Sequence, residues 1–174
     1  MSAPYGGVNF MPTGGVNPKN GNDYLAFNKI ICCRGSWMVK HEMIAAGDFD
    51  GIRKLVREAV DTMLGFKLRH VGINPCGSTS EEAAEKLAGA FSFGSRATSK
   101  SLFVSEELEM MNEKGPGTHG HIAIQTNNVD RAVYHLARRG VKVDMSTATY
   151  DANGAMKFVY LADEINGFAY HLVK

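Results

Sequence analysis

Cysteine is scarce in this chain: three among 174 residues, Cys32 and Cys33 adjacent and Cys76 alone. An odd, unspaced set excludes a disulfide framework and a paired-cysteine zinc site, so all three are expected to be reduced. A surplus of either charge is missing too. Nineteen Lys plus Arg face eighteen Asp plus Glu, a net charge of +1, and no basic stripe gathers on one helix, which argues against nucleic acid and anionic membranes as partners. Long apolar runs are absent as well; the longest, Phe158 to Ala162, is far short of the ~20 residues that span a bilayer. The N-terminus lacks the charged head and apolar middle of a secretory signal, so a cytoplasmic protein is expected.

What is present is an ordinary globular composition, 44% hydrophobic and 21% charged, on a chain long enough to bury roughly 70% of its unfolded surface. The pattern changes near Gly65. Before it, Gly and Pro surround two short apolar runs, Val8 to Met11 and Ile30 to Cys33, the second reading as a buried strand in which the cysteines are small hydrophobes. A helix follows after Asp48, a capping residue, with Ile52, Leu55, Val56, Ala59, Val60 and Met63 at helical spacing. Two domains are expected, residues 1–65 and 66–174.

The second part is written twice. His70-Val71-Gly72-Ile73 precedes a helix from Ser80 to Phe91, and His121-Ile122-Ala123-Ile124 precedes another from Val129 to Arg139. Strands close each half: Ser101 to Ser105 and Glu107 to Met111 in the first, Met156 to Leu161 and Phe168 to Val173 in the second. The fold class is therefore α+β, two βαβββ modules with outer helices and a concave mixed sheet, and neither copy buries its sheet alone.

Strand alternation then singles out four side chains. Val71 and Ile73 point to the helix and His70 the other way, His121 is the odd member beside Ile122 and Ile124, and Glu109 and His171 are flanked by Leu108 and Met110 and by Tyr170 and Leu172, so each of the four points to the opposite face. Three imidazoles and a carboxylate suit zinc, nickel, iron or manganese with a position left open; hydrogen-bonded polar residues without a metal are the other reading. His119, two residues before His121, reads as a loop residue.

On these residues, 66–174 resembles the vicinal-oxygen-chelate superfamily of glyoxalases and extradiol dioxygenases, whose paired βαβββ modules cup a metal. The resemblance makes His70, Glu109, His121 and His171 the first-strand, fourth-strand, second-module and last-strand ligands. His171 departs from the Glu usual there in glyoxalases, which puts a plain glyoxalase activity in question.

The first part carries another resemblance. Phe10-Met11-Pro12-Thr13-Gly14-Gly15-Val16-Asn17, Tyr24-Leu25-Ala26, Arg34-Gly35-Ser36-Trp37-Met38-Val39 and Ala46-Gly47-Asp48-Phe49-Asp50 are similar to the last two strand–helix units of 2-keto-3-deoxy-6-phosphogluconate/4-hydroxy-2-oxoglutarate aldolases, which are (β/α)8 barrels. It implies an incomplete barrel tail over residues 8–62, with Thr13, Gly14, Gly15, Gly35 and Ser36 as the remnant of a phosphate site. Arg34 replaces the first Gly of the family's GGSW, and Lys19, Lys29 and Lys40 do not match its Schiff-base lysine, so aldol cleavage is not expected from these residues alone.

Two functions fit this layout. One is a metal-dependent isomerase or lyase on a small 2-oxo or hydroxy acid. The other is a module of the aldolase that binds a carboxylic or sugar-acid ligand, or mediates oligomerisation, without chemistry. Two barrel units leave apolar faces to cover, which points to a homodimer.

Overall fold

The protein is described by a computed structural model covering residues 6–174, and its chain divides into two compact units, Met1–Gly65 and Phe66–Lys174. No helix among the described residues is long and apolar enough to cross a membrane.

Among its described residues the first unit has three helices, α1 (Gly21–Leu25), α2 (His41–Ala45) and α3 (Phe49–Leu64), and a 3-10 turn at Ser36–Met38. The Asp48 carboxylate accepts from the backbone N–H of Gly51 at 2.9 Å, and Gly65 ends α3 in the left-handed conformation at φ 60°. The amide of Asn22 donates to the Thr62 carbonyl at 2.8 Å, tying α1 to the last turn of α3. The two apolar runs meet in parallel at one bridge, Phe10↔Ile30, flanked by bonds from Phe10 N to Lys29 O and from Ile31 N to Phe10 O.

The expected buried strand at Ile30–Cys33 does not form: Ile31 is 62% exposed and Cys32 is exposed. One bridge on one edge covers too little of each side chain to bury it. All three cysteines are free thiols.

The second unit is one mixed eight-stranded sheet with two helices. In chain order it runs β1 (Lys67–Ile73), α4 (Ser80–Phe91), β2 (Ser95–Ala97), β3 (Ser101–Val104), β4 (Leu108–Met111), β5 (Gly120–Gln125), α5 (Val129–Arg138), β6 (Val143–Tyr150), β7 (Met156–Leu161) and β8 (Phe168–Val173). Strand order is β2-β3-β4-β1-β5-β8-β7-β6. Each repeat contributes four strands, and the copies join through antiparallel β1 and β5.

A capping box starts α4: the Thr79 hydroxyl accepts from Glu82 N–H while the Glu82 carboxylate accepts from Thr79 N–H. Ala83, Ala84 and Leu87 then pack on Leu102, Val104, Leu108 and Met110. On α5 the Asn128 side chain caps Arg131 N–H at 2.8 Å, and Val129 and Ala132 are buried. The Asp130 carboxylate accepts from Met156 N–H at 3.0 Å, fixing the first turn of α5 to β7.

Candidate metal centre

Residues paired across neighbouring strands share a face of the sheet. One row runs Phe103, Glu109, Gly72, His121, Ala169, and the next runs His70, Ala123, His171, Tyr160. Because His70 and Gly72 are two residues apart on β1, and His121 and Ala123 two apart on β5, both rows face the same way. Glu109 lies between Leu108 and Met110, which pack with α4, so this face is the one away from that helix.

The four expected residues gather there. His70 Nε2 and His121 Nε2 are 3.1 Å apart, and Glu109 Oε2 lies 3.1 Å from the first and 3.2 Å from the second. His171 completes a cluster in which each imidazole of His70, His121 and His171 offers a nitrogen within 4.8 Å of the others. The three ring centroids form a triangle with sides of 5.2, 5.2 and 5.6 Å. Glu109 joins through His70 and His121. His119 stays outside, an exposed loop residue packed against Gly167 and Phe168.

The triangle of His70 Nε2, His121 Nε2 and Glu109 Oε2 is poorly served by hydrogen bonds alone. Each Nε2 has one in-plane direction, filled either by a proton or by a lone pair, and three mutual contacts ask each to serve two partners. With bonds of about 2.1 Å, ligand atoms on one divalent ion stand about 3.0 Å apart at right angles and about 3.4 Å apart in a tetrahedron. The observed edges fall in that interval. The donor set, two buried imidazoles and a half-buried one with one carboxylate, fits such an ion. Nδ1 of His121 and of His171 are also buried without a hydrogen-bond partner.

Two residues that sequence reasoning passed over shape the site. Ser101, fully buried on β3, donates from Oγ to Glu109 Oε1 at 2.5 Å, leaving Oε2 to the histidines. Gly72 makes room: a Cβ there would lie 2.1 Å from His121 Cε1. Neither is a ligand type, and each reaches the site through cross-strand register. Phe103 stands edge-on to His70 with centroids 5.4 Å apart, and Phe158 and Tyr160 lie 4.5 and 5.2 Å from the His171 ring.

Electrostatics sort the charges. Burial opposes ionisation of Glu109, but hydrogen bonds from His121, His70 and Ser101, with the charge on His70, outweigh it and hold the carboxyl well below the usual range. Burial, followed by the like charges of His121 and His70, pushes His171 down to about 3, so it is neutral and able to ligate at pH 7. Burial and the Glu109 charge push the Tyr160 phenol up to about 12.

In the first unit the expected phosphate-site residues fall on two neighbouring loops. Arg34 N–H donates to the Pro12 carbonyl at 3.0 Å, bringing Gly35-Ser36 beside Thr13-Gly14-Gly15. Gly15 has φ 71°, and a Cβ on Gly35 would fall 1.7 Å from the Trp37 ring.

Comparison with known proteins finds two families. The model of the Glyoxalase/Bleomycin resistance protein/Dioxygenase superfamily matches residues 39–169, and that of KDPG and KHG aldolase matches residues 1–55. KHG/KDPG aldolase of Escherichia coli K12 is 48% identical over 61 residues, 35% of this chain and 29% of the relative. The 2-dehydro-3-deoxy-phosphogluconate aldolase of Dickeya dadantii is 45% identical over 60 residues, 34% of this chain and 28% of the relative. The chain thus spans under a third of the curated relatives it matches. Among solved structures, a hypothetical protein of Bacillus halodurans C-125 gives a TM-score of 0.45 at 17% identity, covering 62% of this chain and 93% of its own. Methylmalonyl-CoA epimerase from Mycobacterium tuberculosis gives 0.44 at 17% identity, covering 64% and 88%.

Proposed function

The chain belongs to the Glyoxalase/Bleomycin resistance protein/Dioxygenase superfamily, and from that premise we propose that His70, Glu109, His121 and His171 hold a divalent cation (zinc, nickel, iron or manganese) at which a small 2-oxo or hydroxy acid is isomerised or cleaved. The observation that carries this reading is the convergence of His70 Nε2, His121 Nε2 and Glu109 Oε2 with a nitrogen of His171 on one face of the sheet. A bound cation supplies Lewis acidity toward charge that develops on a carbonyl or enediolate oxygen.

The chain's own groups do the rest. Glu109 enters ionised, with Ser101 fixing its second oxygen. His171 enters neutral, so it need lose no proton to ligate at pH 7. Tyr160 keeps its proton throughout the neutral range and donates a hydrogen bond to substrate oxygen beside His171. Phe103 and Phe158 close the flanks with apolar rings that limit water.

Residues 1–65 are, on the same reading, the closing strand–helix units of an aldolase barrel. The parallel Phe10↔Ile30 bridge and the juxtaposed loops of Thr13, Gly14, Gly15, Gly35 and Ser36 support it, their backbone amides being suited to a phosphate. The protein is cytoplasmic and homodimeric in this account.

Elemental analysis of purified protein tests the centre: one equivalent of metal is expected, lost in His121→Ala with the far-UV circular dichroism unchanged. Stoichiometric metal retained in that variant refutes the ligand set. Proton exchange tests the chemistry: metal-loaded protein in D2O is incubated with a panel of 2-oxo and hydroxy acids, and deuterium incorporation is read by NMR. Metal bound with no exchange across the panel selects the binding module instead.

A further inference from the structure

The same rows that gather the ligands carry a cation to one rim of the face. Arg96 of β2 pairs with Phe103, which pairs with Glu109, so Arg96 projects to the ligand side. Its guanidinium carbon sits 4.7 Å from the centroid of Phe103, whose edge meets His70. Stacking engages the flat face of a guanidinium and leaves its in-plane N–H groups free for a carboxylate. Among the described residues no acidic group pairs with Arg96.

The repeat gives this position a counterpart of opposite sign. In the second module Asp144 pairs with Tyr160 and Tyr160 with His171, as Arg96 pairs with Phe103 and Phe103 with Glu109. Asp144 Oδ1 is engaged by the N–H and hydroxyl of Ser146. One rim is therefore cationic and the other anionic. A ligand lying across the centre is oriented, with its negative end over Phe103.

We propose that Arg96 recognises a second, distal carboxylate of the substrate, so that the site takes 2-oxo or hydroxy diacids in preference to monoacids. This rests on the metal-centre reading, which places the chelating end at the histidines. The spacing agrees. The contacts of 4.7 and 5.4 Å keep the guanidinium within about 10 Å of the His70 ring. A five-carbon diacid extends about 4–5 Å beyond its 2-oxo carbon, and contacts of roughly 2–3 Å at each end supply the remainder. A single guanidinium also matches the one negative charge of a carboxylate and its two oxygens.

The test uses two probes that differ only at the far end, 2-oxoglutarate and 2-oxopentanoate, titrated calorimetrically into metal-loaded full-length chain. The intact protein is expected to bind 2-oxoglutarate at least about tenfold more tightly. Arg96→Leu should bring the two within about twofold while keeping its metal stoichiometry and its affinity for 2-oxopentanoate. Arg96→Lys, which keeps the charge but loses the fork, should retain part of the preference and guards against a folding artefact in the first variant. Bound metal with no preference in the intact protein, or a preference that survives Arg96→Leu, overturns the role of Arg96 and leaves the metal centre standing. Absence of metal from the intact protein refutes the centre and takes this inference with it.

Discussion

Gly72→Ala tests the geometry of the centre without touching a ligand. Gly72 lies within β1, paired with both Glu109 and His121, so alanine meets no backbone penalty there. The strain is all side chain: the new Cβ would fall 2.1 Å from His121 Cε1 and 2.5 Å from both ring nitrogens. Carbon atoms pack at about 3.5–4.0 Å, so the ring must retreat by more than about 1 Å. It has nowhere to go, being 5% exposed and hemmed in by His70, Glu109 and His171. Metal–ligand distances tolerate only about 0.2 Å, so one ligand is effectively lost. Affinity for Zn(II), read by competition against a chromophoric chelator, should fall about 100-fold or more. Overpacking should also cost the metal-free protein about 1–3 kcal/mol, a fall in Tm of roughly 4–8 °C for each kcal/mol in a unit of this size. Gly89→Ala on α4, where a Cβ meets nothing within 4 Å, is the matched control and should leave metal affinity unchanged. Wild-type metal affinity and melting in Gly72→Ala would refute the placement of His121.

Ser101→Ala should weaken metal binding about 10- to 100-fold and raise the pH at which metal is released, because Glu109 loses a donor that holds it ionised; pH-dependent metal release checks this. Metal-free protein should lose stability as acid is added. His171 is held near 3 in the folded state against an ordinary value near 6.5, so the unfolded chain takes up its proton first, and stability present above pH 6.5 declines toward pH 3. The loss is of the order of 5 kcal/mol at most, and urea midpoints that do not fall from pH 7 to pH 4 would contradict it. Asp48→Ala should cost about 1 kcal/mol in denaturant unfolding, the worth of the cap on α3; an unchanged midpoint would discount that cap.

Strands with one buried face were legible because their alternation is local. Ile122 and Ile124 flank Ala123 on β5, and Leu108 and Met110 flank Glu109 on β4, so the face of each candidate ligand followed from its own neighbours. The strands β2 and β6 were not. All of Ser95–Ala97 is exposed and shows no apolar period, and β6 carries register shifts that break its alternation. Alternation also gives a face without giving a partner. Ser101, Phe103 and Gly72 act on the centre because pairing sets them beside Glu109 and His121, and pairing between distant strands is written in no single segment. The Ile30–Cys33 run failed for the converse reason. Its apolar composition suits a buried strand, but burial depends on neighbours, and here it has one bridge.

The duplicated fold explains why a site exists and why it is directional. Across the join, His70 corresponds to His121, each two residues before a small residue, Gly72 or Ala123, that pairs with the next ligand, Glu109 or His171. Symmetry of this kind brings four donors together with no local motif, since each module supplies two from strands that must be adjacent for the sheet to form at all. Strict symmetry would also make the two ends of the face equivalent. The substitutions between copies remove that equivalence: Glu109 against His171, Phe103 against Tyr160, Arg96 against Asp144. Carboxylate, stacked ring and guanidinium accumulate on the first-module side, and imidazole, phenol and carboxylate on the second. Chemistry at such a centre needs a substrate held one way round, and these three exchanged pairs supply the difference while the repeated backbone holds the donors in place.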